Sequence, residues 1–232
     1  MPEDSQFSVD IIARGIEACL LNANELLQTA KEAMSLKRHG LALSLAVLAM
    51  EEVGKLIAID GLSFAKPGDD RRGIAQNAQR YHRLKLGALD VYPLFLNYFA
   101  MLDPRYHKEP RFRETLGIIL VSYKKQRHEL EPWLGSACDL RQLDEWKQRG
   151  FYTHIDQVTG QVRRPSDIDR AFSDCVFQLA FRIVDSMNFV LRENISRYEK
   201  QIQSIRESLT DLELQQIKER AKEIVGAVFR VD

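Results

Sequence analysis

Residues 41–50 read Leu-Ala-Leu-Ser-Leu-Ala-Val-Leu-Ala-Met, with Ser44 as the one polar side chain. The run is about half of the roughly 20 apolar residues that a membrane helix needs, so no membrane span is expected. Apolar on nearly every side, it fits a helix packed on several faces. It therefore predicts a central helix over about residues 41–65. That helix passes directly into Met50-Glu51-Glu52-Val53-Gly54-Lys55, where charge begins.

The neighbouring segments are also helical in pattern. Apolar residues recur at spacings of three and four, and seven prolines leave long uninterrupted stretches between them. A first helix is predicted over residues 8–37, with Ile12, Ile16, Leu20, Ala23 and Leu27 on one stripe and His39-Gly40 as its stop. Pro67-Gly68-Asp69-Asp70 is a turn, and residues 71–102 read as a third helix bent near Pro93. A loop with Pro104 and Pro110 leads to a helix over 112–130 and a short one over 140–149. Residues 151–156 and 161–165, around Gln157-Val158-Thr159-Gly160, form the one strand-like piece, a hairpin. Ser166 caps a long sixth helix to about residue 205, and Thr210 with Glu213 makes a capping box for a seventh over 211–229. The expected fold is all-α: one domain over 1–232, a bundle of about six or seven helices with a small hairpin insertion near 150–165 and C-terminal helices over about 166–231.

Composition narrows the function classes. Lys and Arg number 33, as do Asp and Glu, so no global basic field holds nucleic acid and only a local patch is available for it. Cys19, Cys138 and Cys175 are far apart and none belongs to a C-x-x-C pair, which argues against a disulfide framework or a thiolate zinc site. The start, MPEDSQ, is polar and acidic, unlike the basic start and apolar block of a secretory signal. A cytoplasmic location is expected. No Glu stands three residues before any of the five His, H-E-x-x-H is absent, and no Gly-rich phosphate loop or G-x-S-x-G elbow occurs. No metal and no cofactor are expected.

Two places carry charge of interest. At 100° per residue, Glu52 lies within about 40° of Leu41, Leu45, Leu48 and Leu56, so its carboxylate points along the apolar stripe. There it must be paired, hydrogen-bonded or protonated, through Lys55 or a cation of another helix. The second place is Arg80-Tyr81-His82-Arg83-Leu84-Lys85, a basic cluster, joined by Arg71 and Arg72, that reads either as a solvated face or as a phosphate contact.

The helix over residues 42–55, alanine-rich and ending in Glu51-Glu52-Val53-Gly54-Lys55, closely resembles the signature helix of the AbiV-type abortive-infection proteins. His82-Arg83-Leu84-Lys85 is similar to that family's His-x-x-Lys segment. Residues 150–156 followed by Pro165-Ser166 resemble its hairpin, with Thr153-His154 where the family has Val-Asp. The resemblance spans about residues 41–166 and implies an HEPN-superfamily bundle, a homodimer, and a role in phage defence. Many HEPN proteins are metal-independent ribonucleases marked by Arg, four to six residues, then His. In such a pair the His moves a proton and the Arg stabilises phosphorane charge.

Arg149 and His154 match that spacing, but with 21 Arg and five His about one such pair arises by chance. A site of Glu51, Glu52, Lys55 and His82 between the second and third helices rests on the more specific segments. In the implied mechanism His82 or His154 transfers the proton, Lys55 or Arg149 stabilises phosphate charge, and Glu52 orients the cation. Arg80, Arg83 and Lys85 contact RNA. The rival reading is a non-catalytic dimer that binds a phage or host protein, the kind of partner that also serves as an activator; a nucleotide-sensing bundle is a third.

Overall fold

The computed structural model describes residues 8–61, 82–155, 160–191 and 200. The expected turn at Pro67, the basic residues Arg71, Arg72 and Arg80, the end of the sixth helix and the whole seventh helix with its capping box lie outside the described residues.

Helix α1 spans Val9–Ser35, and Ser8 caps it by accepting the Ile11 N–H at 3.4 Å. The five predicted stripe residues are all buried. Helix α2 spans His39–Gly61. His39-Gly40, expected to end the first helix, instead forms the first turn of the second. The stop lies earlier, where Lys37 adopts φ 56° and the N–H groups of Leu36 and Lys37 bond to the carbonyls of Glu32 and Met34. A left-handed residue there absorbs the chain reversal, so Gly40 is free to serve packing instead.

The predicted third helix is interrupted. Within the described residues it comprises α3 (His82–Ala88), a 3-10 turn (Leu89–Val91) and α4 (Tyr92–Leu102). Pro93 sits in the first turn of α4, where its missing N–H leaves no bond unmade, and the bend falls just before it. Pro104 and Pro110, expected in a loop, open α5 (Pro104–Lys108) and α6 (Pro110–His128) in the same way. A single turn, α7 (Glu131–Leu134), and a 3-10 turn (Leu140–Gln142) lead to α8 (Leu143–Phe151). The hairpin is present and shorter than expected: β1 (His154–Ile155) pairs antiparallel with β2 (Val162–Arg163), His154 opposite Arg163 and Ile155 opposite Val162. Phe151 belongs to α8. Ser166 lies in a 3-10 turn (Pro165–Asp167), and the start of α9 (Arg170–Leu191) is capped by Asp169, whose Oδ1 accepts the Ala171 N–H at 2.8 Å.

The result is an all-α, HEPN-like bundle. Helix α2 is its axis, packed against α1, α9, α8 and α3. Two close approaches depend on glycine. A Cβ at Gly54 would overlap the Lys85 carbonyl of α3, and a Cβ at Gly150 would overlap Ser44 and the Gly40 carbonyl of α2. Bare backbone at those crossings lets α3 sit directly on the charged part of the central helix and α8 on its first turns. No helix among the described residues is long and apolar enough to cross a membrane.

Candidate active site

Of the Glu51-Glu52 pair on α2, Glu51 is the buried member, with 2% of its side chain exposed, whereas Glu52 is half-buried. This corrects the expectation drawn from the leucine stripe. Leu41, Leu45 and Leu48 share the half-buried seam with Glu52, because the face of closest helix contact is the one lined by small residues: Ala42, Ala46, Ala49, Val53 and Gly54. On a helix that is apolar all round, with Leu43, Val47, Met50 and Leu56 fully buried as well, the direction of one leucine stripe does not mark the interior.

Glu51 is held by two partners. Its Oε1 accepts from Lys147 Nζ of α8 at 2.5 Å, and its Oε2 lies 2.5 Å from His82 Nδ1 of α3. Lys147, itself 2% exposed, also contacts Asp144 Oδ1 at 2.7 Å one turn earlier. The Ser44 hydroxyl donates to the Lys147 carbonyl at 2.7 Å and ties α8 to α2 two turns before Glu51. A carboxylate accepts, so His82 Nδ1 carries a proton toward Glu51; in the neutral ring that tautomer makes Nε2 the acceptor, on a side chain 44% exposed.

Glu51, His82 and Asp144 present donor atoms within 4.8 Å of one another. A divalent cation takes such sets, but here the Lys147 ammonium, in contact with both carboxylates, supplies positive charge at that point.

Around this centre lie the remaining charges. Glu52 binds Lys55 at 2.6 Å, the pair anticipated from their spacing. Burial first, then the Glu52 carboxylate beside it, push the Cys19 thiol of α1 up to about 12 despite the nearby Lys55. Lys85 lies under the surface, 7% exposed. Burial holds its ammonium below the ordinary lysine value; Lys55 and Lys147 add to the lowering, while Glu51 and Glu52 oppose it.

The structure thus brings together Glu51, Glu52, Lys55, His82 and Lys85. Arg83 is exposed and pairs with Glu145 at 3.1 Å on the rim. Arg80 is outside the described residues. Arg149 stands two residues past Lys147, roughly 200° around the helix, and its guanidinium covers the Trp146 ring at 4.8 Å. His154 lies on β1. Sequence reasoning missed Lys147 and Asp144. Leu143, Lys147 and Gly150 form the buried stripe of α8, and a lysine on an apolar stripe with an aspartate three residues before it was the available signal.

The class is an all-α bundle of HEPN type, in which the central helix here buries a carboxylate between a histidine and a lysine of flanking helices. The model of the AbiV family, an HEPN family, matches residues 11–185, and the chain belongs to that family. The match contains every residue of the cluster. No curated protein and no solved structure matches the chain.

Proposed function

We propose that this chain is a phage-defence protein of the abortive-infection type that cleaves RNA without a metal ion, with His82 as general base and Glu51 as the group that orients it. The observation that carries the reading is the 2.5 Å contact of His82 Nδ1 with buried Glu51, which fixes the ring and points Nε2 outward. A base so held can take the proton of a ribose 2′-hydroxyl, and the freed oxygen then attacks the adjacent phosphorus. Lys55, on the half-buried edge of the cluster, is the cation best placed to balance phosphorane charge, and Arg83 on the rim is available to the flanking backbone. Arg149 is engaged with the Trp146 ring instead. The substrate is RNA in the cytoplasm, and the working form is a homodimer.

The test is incubation of purified protein with end-labelled cellular RNA in EDTA. Discrete fragments from wild type, lost in His82→Ala and retained in His154→Ala, support the reading; equal fragments from wild type and His82→Ala defeat it.

One observation favours the rival reading, a protein-binding dimer. Tyr152, Ile155 and Val162 on and beside the hairpin are 65%, 62% and 56% exposed, an apolar patch of the kind that meets a protein partner. That partner would be a phage or host activator. Salt separates the two: affinity for RNA that falls steeply with added salt supports a nucleic-acid role, and no RNA binding at low salt supports the protein partner.

A further inference from the structure

Cleavage by 2′-hydroxyl attack needs two proton transfers, and the dyad supplies one. The 5′-oxygen that leaves phosphorus is a poor leaving group unless it is protonated as the bond breaks. The cluster contains three ammonium groups. Lys147 is held by Glu51 and Asp144, and Lys55 by Glu52. Among the described residues, Lys85 has no carboxylate within ion-pair distance, although it is nine-tenths buried. Glu51, Glu52 and Lys55 of α2 and Lys147 of α8 are the charged groups around it.

Lys85 and His82 are three residues apart on α3, so they share one helix face with Cβ atoms roughly 5–6 Å apart. That separation suits two groups acting on opposite sides of one phosphodiester. The Gly54 crossing presses the α3 backbone at Lys85 onto α2 and keeps this face turned toward Glu51.

Resting on the ribonuclease reading above, we infer that Lys85 is the general acid, donating its Nζ proton to the departing 5′-oxygen. In the balanced step, His82 Nε2 takes the 2′-hydroxyl proton and the 2′-oxygen bonds to phosphorus. The bond from phosphorus to the 5′-oxygen breaks, and that oxygen takes the Lys85 proton. The products are a 2′,3′-cyclic phosphate and a 5′-hydroxyl. One site keeps a base and an acid available together by giving its titratable groups different environments; here His82 Nδ1 faces the Glu51 carboxylate, and Lys85 has no ion pair among the described residues. An ammonium held low by burial also releases its proton more readily than an exposed lysine does.

The experiment compares full-length wild type, Lys85→Met and Lys85→Arg on two substrates: an oligoribonucleotide that wild type cleaves, and the same oligonucleotide with sulfur replacing the 5′-oxygen at the cleaved linkage. Sulfur leaves without protonation. Methionine keeps the volume of the buried stem, and arginine keeps the charge without a releasable proton. Both variants are expected to slow ordinary cleavage by about 100-fold or more, to lose the alkaline limb of the pH–rate profile, and to cleave the sulfur substrate within a few-fold of wild type. His82→Ala stays slow on both. Equal loss on both substrates in both Lys85 variants overturns the assignment, since the lysine then holds phosphate or structure. Wild type that cleaves neither substrate overturns the ribonuclease reading itself.

Discussion

Lys147 and Glu51, 96 residues apart in sequence, meet at 2.5 Å with 2% of each side chain exposed. Two such charges are tolerated inside a bundle only together. Their contact joins α8 to the central helix and sets the carboxylate against which His82 is aligned. The pair is therefore part of both the fold and the site.

Removing the lysine should be costly. Lys147→Met strands Glu51 and Asp144 without their shared cation, and the expected loss is about 3–5 kcal/mol, the range for breaking a buried ion pair. Replacing both partners, Lys147→Met with Glu51→Leu, should recover much of it. Urea unfolding of the three chains checks this; a single variant as stable as wild type would show the pair to be dispensable.

Gly54→Ala tests the helix crossing. The added methyl would meet the Lys85 carbonyl, which is backbone and cannot swing aside. The expected loss is about 1–3 kcal/mol from overpacking, with the His82 imidazole resonances shifted in NMR as α3 is pushed off α2. An unchanged midpoint and unchanged resonances would contradict the close crossing.

Lys85 has a stability signature of its own. Its folded-state pKa lies below its ordinary value of 10.5, so in the window below 10.5 the unfolded chain binds the proton more tightly than the folded one. Stability then rises with pH through that window, and the ammonium is a net burden at neutral pH. Lys85→Met should leave the protein at least as stable as wild type at pH 7, with the gain shrinking as pH approaches 10.5. Denaturant midpoints at several pH values measure it. A variant clearly less stable at pH 7 would show that the ammonium has a stabilising partner.

Most of the bundle was legible in the sequence for plain reasons. The α1 stripe at Ile12, Ile16, Leu20, Ala23 and Leu27 follows a 3.6-residue period, and one face against one core is what such a period encodes. The prolines were misplaced because Pro104 and Pro110 act at helix starts, where proline is welcome, and a local signal alone does not distinguish a start from a break. The site was half legible. The charged end of α2 and the His82 segment stood out because both interrupt local patterns. The choice between Glu51 and Glu52 did not, since it depends on which face α3 and α8 cover. Lys147 could be marked only as a lysine on the apolar stripe of α8, not paired: its partner comes from a helix 96 residues away, and period alone carries no pairing between helices.

The most direct test of the account is a cycle of single-turnover RNA cleavage rates in EDTA for wild type, Glu51→Gln, His82→Ala and the double variant. If Glu51 acts through His82, each single change slows cleavage and the double variant is no slower than His82→Ala, because an orienting carboxylate has nothing left to orient. Cleavage by His82→Ala at the wild-type rate, or losses that simply multiply in the double variant, would contradict the dyad.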